Sequence, residues 1–341
     1  MKAAIYNPYL DTLGGGERYT LAIAEVLASE GYRVDLQWHE SEILEKIEKR
    51  FGRKLDSNIN VVSNVKNGDG YDLCFWVSDG SIPALRARKN FLHFQVPFTK
   101  VAGKTLLNKM KLFRINKIIC NSKFTKKFID KEYGVDSVVV YPPVPTEDIK
   151  PKKKEKIILY VGRFSALKQN KGQDTLIDTF KKFSKSTPDW KLILVGGGEV
   201  GADEYIETLQ KVAKGFPIEI LVSPDYKIVK DLYGKASYFW SAAGFGINPE
   251  KNPELVEHFG ITVVEAMAGG AIPLAYDAGG HKEIIKNGNN GYLWEKTTEL
   301  IKLTRGLIAT KSESREIVKR MIYSAQTFSY GNFAKRIKEL L

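Results

Sequence analysis

The chain has 341 residues, 43% of them apolar, and its 52 Lys and Arg against 40 Asp and Glu give a formal net charge of +12. That length exceeds what one core usually holds and suits two domains of roughly 150 residues each. The longest run without an acidic or basic side chain, 236–249, has 14 residues and is broken by Gly244, Gly246 and Pro249, short of the ~18 needed to cross a bilayer. The amino terminus, MKAAIYNPY, enters an apolar strand with no signal-type h-region, so the expectation is a cytoplasmic chain. Cys74 in YDLCFWV and Cys120 in KIICNS sit in apolar runs without metal-ligand spacing, which suits buried free thiols and excludes a disulfide framework.

In chain order, KAAIY predicts a strand, a helix follows over about 17–29, and RVDLQW, YDLCFWV, NFLHFQ, NKIICN and SVVVY predict further strands. The segment 142–156, with four prolines and a charge run, predicts a linker. A second set of strands follows in KIILYVG, KLILVGG, IEILV, ASYFWSA, AIPLAY and GYLW, with helices between them; 332–341 predicts a last helix packing on either domain. Alternating strands and helices predict parallel sheets with crossover helices, an N-terminal domain over 1–150 and a C-terminal one over 151–341. Ligands of such sheets lie beyond the carboxyl ends of the strands, so the chemistry is expected in a cleft between two facing sheets.

Three stretches offer chemistry. GGGERYT at 14–20 lies between the first strand and its helix, where Gly15 and Gly16 let backbone N–H groups approach a phosphate closely; a plain tight turn is the alternative. GGGEVG at 196–201 matches G-x-G-x-x-G, but it follows the second strand of its half and no acid closes a following strand, so a dinucleotide fingerprint is rejected. In GRFSALKQNKGQD, Arg163 leaves a strand's carboxyl end with Lys168 and Lys171 a few residues on, cations suited to a diphosphate, or a solvated loop. In EHFGITVVEAMAGG a helix over about 261–268 leaves the amides of Gly260, Ile261 and Thr262 as a positive end, with Glu257 before it and Glu265 about one turn inside. Two acids beside an anion site fit a ligand that also brings hydroxyls, as a sugar and a ribose do, although acids near a helix start also serve its dipole.

On GGGER, GRF…NKGQD, the paired glutamates of EHFGITVVEAMAGG and AGGHKEII…GNNGYLW, nearly the whole chain resembles retaining glycosyltransferase family 4. CNSKFTKKFIDKEYG…VVVYPPV and EHFGI resemble in particular the mannosyltransferases of lipid-linked oligosaccharides and their bacterial and archaeal relatives. The resemblance implies an α/β GT-B fold, two Rossmann-like parallel-sheet domains facing across a cleft, with the nucleotide sugar held by the C-terminal one. It implies a hexose, mannose from GDP-mannose, moved with retention to a lipid-linked or phosphorylated glycan acceptor. Alternatives are a UDP-sugar-dependent enzyme of the same fold or a non-catalytic sugar-nucleotide-binding partner subunit. Glu257 would hydrogen-bond the hexose, the amides from Phe259 through Gly260 and Ile261 to Thr262 would hold sugar and phosphate, and Glu265 would bind the ribose. Arg163 and Lys171 would hold the diphosphate with Lys168 as competitor, Gly15 and Gly16 would face the phosphates from the other domain, and His93 in FLHFQVP would lie near the donor sugar, against the reading of a core histidine. The implied catalytic set is thus Glu257, His93, Arg163 and Lys171, with no metal and no cofactor beyond the donor substrate. Ser241 stands where relatives often have His, and His281 where many have Pro.

The basic excess is local: 86–131 holds 13 Lys and Arg and one acid, Asp130. Such density suits nucleic acid, anionic lipid or a phosphorylated substrate, or a merely solvated face. No nucleic-acid recognition motif accompanies it, so no nucleic-acid partner is expected. In KVAGKTLLNKMKLFRINK, helical spacing sets Leu106, Met110 and Phe113 on one face, with Lys104, Lys109, Lys111 and Arg114 in the same segment. The expectation is peripheral association with an anionic membrane surface, against core packing of the three apolar residues.

Overall fold

Runs such as KIILYV and KLILV lack the alternation of a half-solvated strand because both of their faces are covered, the mark of a parallel sheet between helices. A computed structural model describes residues 1–12, 14–52, 54–165, 171–198 and 201–341. In chain order its elements are β1 Lys2–Tyr6, α1 Gly15–Ser29, β2 Arg33–Gln37, α2 Ile43–Phe51, β3 Ile59–Val62, β4 Leu73–Val77, β5 Lys89–Phe94, α3 Leu106–Leu112, β6 Lys117–Cys120, α4 Lys123–Tyr133 and β7 Val138–Val139. There follow β8 Glu155–Val161, α5 Gln173–Ser184, β9 Lys191–Gly196, α6 Asp203–Ala213, β10 Ile218–Val222, α7 Tyr226–Lys235, β11 Ala236–Ser241, α8 Ile261–Ala268, β12 Ile272–Tyr276, α9 His281–Ile284, β13 Tyr292–Trp294, α10 Thr297–Ala309, α11 Lys311–Ala325 and α12 Tyr330–Lys338.

The chain forms two compact units, 1–143 with 330–341, and 144–329. The first holds a seven-stranded parallel sheet in the order β3-β2-β1-β4-β5-β6-β7. Its largest core cluster joins Ala3 and Ile5 of β1, Ile23 and Leu27 of α1, Phe75 of β4 and Phe91 of β5 to Phe333 and Ile337 of α12. The last helix is thus part of this core, with Phe333 set edge-on to Tyr19 at 5.0 Å. Cys74 and Cys120 are free and buried in this unit.

The second unit holds a six-stranded parallel sheet, β10-β9-β8-β11-β12-β13, the doubly wound order of a Rossmann half. Trp240 of β11 centres its core, edge-on to Phe180 and Phe183 of α5, and its indole N–H donates to Thr304 Oγ1 at 3.1 Å. The segment expected as a linker is no free tether. From Val144 on it packs on the second unit, where Val144 N–H donates to Phe328 C=O, Thr146 Oγ1 donates to Gln326 Oε1, and Val144 and Ile149 are buried. Among the described residues no helix is long and apolar enough to cross a membrane.

Candidate active site

In each sheet the strand order reverses once, between β1 and β4 and between β8 and β11, and the crevice beyond those carboxyl ends is where such sheets bind ligands. In the second unit the candidate residues gather there. Arg163 follows β8, is exposed, and its carbonyl accepts from Gln173 Nε2 at 2.9 Å, which ties the strand exit to α5. Lys171 precedes Gly172, the N-cap of α5. Gly172 has φ 73°, and a Cβ there would lie 2.7 Å from both the Cβ and the carbonyl oxygen of Ala242. Only glycine permits this turn to press against the end of β11, and that contact directs Lys171 to the site.

The ammonium of Lys171 lies 3.0 Å from Glu257 Oε2, with 12% and 23% of the two side chains exposed. Burial alone would raise the Glu257 acid, but the charge of Lys171 and its hydrogen bond more than offset it, and the group is lowered from 4.5 to about 2. Glu257 is therefore ionised across the physiological range and acts only as an acceptor. The backbone beside it is fixed from another quarter: Gly280 N–H donates to Glu257 C=O at 2.7 Å, and a Cβ on Gly280 would lie 2.3 Å from Phe259 Cα. That close approach is what the glycine pair of AGGHKE provides, and it locks two distant motifs together.

Beyond Glu257 the chain turns through Phe259, buried edge-on to Phe328, into Gly260 at φ 113°, the N-cap of α8. Gly260 has no side chain with which to cap the helix. The first amides, with Ile261 and Thr262 half-buried, form a positive end suited to an anion. Glu265, one turn on, is buried and accepts from the Tyr233 hydroxyl of α7 at 2.8 Å, leaving its carboxylate further acceptor capacity. Ser241 and His281, the two departures from the family pattern, meet: Nδ1–H of the ring donates to Tyr276 C=O at 2.9 Å and the Ser241 hydroxyl donates to Nε2 at 3.4 Å. Burial lowers the His281 pKa against the pull of Glu257, so the ring is neutral in this arrangement. Lys168 lies outside the described residues.

In the first unit, Gly14 caps α1, and Glu17 folds back to accept from Gly14 N–H at 2.7 Å and Thr12 Oγ1 at 2.8 Å. The chain's own carboxylate therefore meets part of this helix end, while Gly15 stays exposed and Gly16 lies against the Gln95 side chain. His93 is 0% exposed on β5, stacked on Tyr19 at 4.1 Å, with Nδ1–H donating to Ile119 C=O at 3.1 Å. Burial lowers its pKa to about 3. The ring is neutral and buried, because an inner strand of a covered sheet turns alternate side chains inward, and its Nε2 has no hydrogen-bond partner among the described residues. Among the described residues no cluster of three metal-ligating side chains forms. Sequence reasoning did not anticipate the Gly280 amide, Tyr233 or Gln173 as supports; only the AGGHKE glycines carried a signal.

A family model described as "Glycosyl transferases group 1" matches residues 146–328, nearly the whole second unit. The chain is 31% identical over 231 residues to a GDP-Man:Man(3)GlcNAc(2)-PP-Dol alpha-1,2-mannosyltransferase of Dictyostelium discoideum, covering 62% of this chain and 44% of that one. It is 26% identical over 226 residues to the lipopolysaccharide core biosynthesis mannosyltransferase LpsB of Rhizobium meliloti, covering 61% and 59%. The chain spans about half the length of the curated relatives it matches. Among solved structures, Anabaena Alr3699/HepE, in complex with UDP and glucose, superposes with a TM-score of 0.75 at 18% identity over 99% of this chain and 98% of that one. A glycosyltransferase from Rickettsia africae superposes at 0.77 with 17% identity over 99% and 97%. At such identities the likeness shows the GT-B fold.

Proposed function

Since this chain belongs to the glycosyl transferases group 1 family, we propose that its second unit binds a nucleotide sugar and that the chain transfers the hexose, with retention, to a lipid-linked or phosphorylated glycan. The observation that carries this is the Lys171 and Glu257 pair set before the amino end of α8, where a cation brought from the turn before α5 meets an acceptor and backbone donors from the α8 entry. Arg163, Lys171 and the α8 amides hold the diphosphate, Glu257 accepts from hexose hydroxyls, and Glu265 accepts from the ribose. Breaking the bond from the anomeric carbon to the phosphate oxygen puts charge on the diphosphate, which these fixed positive groups stabilise. The acceptor hydroxyl adds on the same face, and its proton passes to the departing phosphate oxygen. The fixed cations take the part a divalent metal would play, so turnover should survive a chelator. Mannose from GDP-mannose is the donor favoured by the relatives' names.

The test is a panel of nucleotide sugars screened for protection against thermal unfolding, followed by transfer to a lipid-linked oligosaccharide with the product anomer read by NMR. A bound donor raises the midpoint by mass action. GDP-mannose should protect and give an α product. Protection by UDP-sugars alone would replace the donor, protection without transfer would leave a binding subunit, and a β product would refute retention.

A further inference from the structure

None of the seven residues of α3 is buried, yet four of the large apolar side chains on and just after it stand in water: Leu106 is 76% exposed, Leu107 61%, Met110 66% and Phe113 93%. At about 100° per residue these four fall on one arc about 120° wide, with Lys109 on one flank and Lys111 on the other. The helix is not frayed. Thr105 Oγ1 accepts from Asn108 N–H at 3.3 Å, Asn108 Nδ2 donates to Ala102 C=O at 3.3 Å, and Glu132 accepts from the amides of Val101 and Gly103 in the loop before it. Leu112 and Ile115 pack against the buried cluster that includes Leu92 and Phe94. The polar Asn108 is thus held toward the protein while the apolar arc is held away, the reverse of a helix laid on a core. Core packing, the alternative weighed on sequence, is not what the structure has.

The sequence that carries this arc is strongly basic, 13 Lys and Arg against one acid over 86–131, and the next acid, Glu132, is taken up by the amides of Lys100, Val101 and Gly103. Among the described residues Lys100, Lys104, Lys109 and Lys111 form no ion pair. A nucleic acid would use the cations and leave four apolar side chains in water. An apolar groove on a protein would use the side chains and strand the cations. We propose that this face docks the chain on an anionic lipid surface, with α3 in the interface plane, its apolar arc at the acyl boundary and its lysines at the phosphate headgroups. This goes beyond the nucleotide-sugar reading and does not depend on it, since it concerns the first unit alone.

The test is sedimentation of the full chain with vesicles of phosphatidylcholine, with and without phosphatidylglycerol. Binding is expected only to the mixed vesicles, falling as salt shortens the screening length from ~10 Å at 0.1 M to ~3 Å at 1 M. Leu106→Ser with Phe113→Ser should lower partitioning at least about tenfold. Glu in place of Lys104, Lys109 and Lys111 should abolish it. Arg114 is left in place because its Nε donates to Leu85 C=O. An unchanged thermal midpoint in both variants shows that folding is intact, and because the replaced apolar side chains are exposed, that control should hold. Wild type ignoring mixed vesicles at low salt, or the serine variant binding like wild type, overturns the proposal. So does a dimer in solution that the serine variant dissociates, since a second copy would then own the face.

Discussion

Replacing Glu257 with glutamine keeps the shape of the site and removes its charge. Folding lowers this acid from 4.5 to about 2. At 1.36 kcal/mol per unit, the ionised form contributes about 3 kcal/mol to stability at neutral pH. The 23% exposure of the side chain makes that an upper value. A glutamine also leaves the largely buried Lys171 facing only a neutral carbonyl, so the expected loss at pH 7 is about 1.5–3 kcal/mol. The sign follows from a folded pKa below the unfolded one: the contribution is complete above about 4.5 and disappears as pH falls through about 2. At pH 3 roughly two fifths of it should remain. Urea unfolding of wild type and Glu257→Gln at pH 7 and pH 3, followed by circular dichroism and tryptophan fluorescence, measures this directly. A difference between the proteins that is the same at both pH values, or below about 0.5 kcal/mol at pH 7, refutes the electrostatic account of the pair. In the same variant, kcat should fall by about 10²–10³ with donor binding nearly unchanged, if contacts to the hexose strengthen as it becomes cationic.

Arg163→Ala and Lys171→Ala should each weaken binding of the free nucleoside diphosphate about tenfold or more in calorimetric titration, since each removes a charge-assisted contact to phosphate. An unchanged Lys171 variant beside an impaired Lys168 variant would move the role to Lys168. Glu265→Ala should raise the donor KM with kcat little changed, while Tyr233→Phe, which keeps the carboxylate, should shift KM far less; equal falls in kcat for both would refute the ribose role.

The inner strands were legible because both of their faces are buried, and an uninterrupted apolar run such as KIILYV has no other stable use. Of the edge strands, IEILV, GYLW and SVVVY were readable as apolar runs too, but β3 was not. β3, with three of its four residues only half-buried amid polar neighbours, offers no such run, and β7 pairs over two residues of the five in SVVVY. The site divides in the same way. The placing of Glu257, Gly260 and Glu265 around one helix start was readable from spacing, because the helix period fixes it. The support from Gly280 and Tyr233 comes from separate elements of the fold, and that from Gln173 reaches back ten residues to the strand exit, partners that the helix and strand periods do not encode. His93 illustrates the limit from the other side: its neighbours FL and FQ say strand, but only the pairing of β5 between β4 and β6 says that its face is covered.

On the proposed reading, Lys171 is the residue that both ends of the donor need. Its ammonium has three donors and no acceptor capacity, so it can meet a phosphate oxygen without releasing Glu257. This matters because a carboxylate near a diphosphate is unfavourable unless a cation stands between them. With Lys171 interposed, Glu257 stays ionised, and an acceptor-only group is what a ring of hexose hydroxyls requires. The neutral His281 fits the same logic: with Nδ1–H given to Tyr276 C=O and Nε2 receiving Ser241, it adds no second cation that would draw Glu257 away from Lys171.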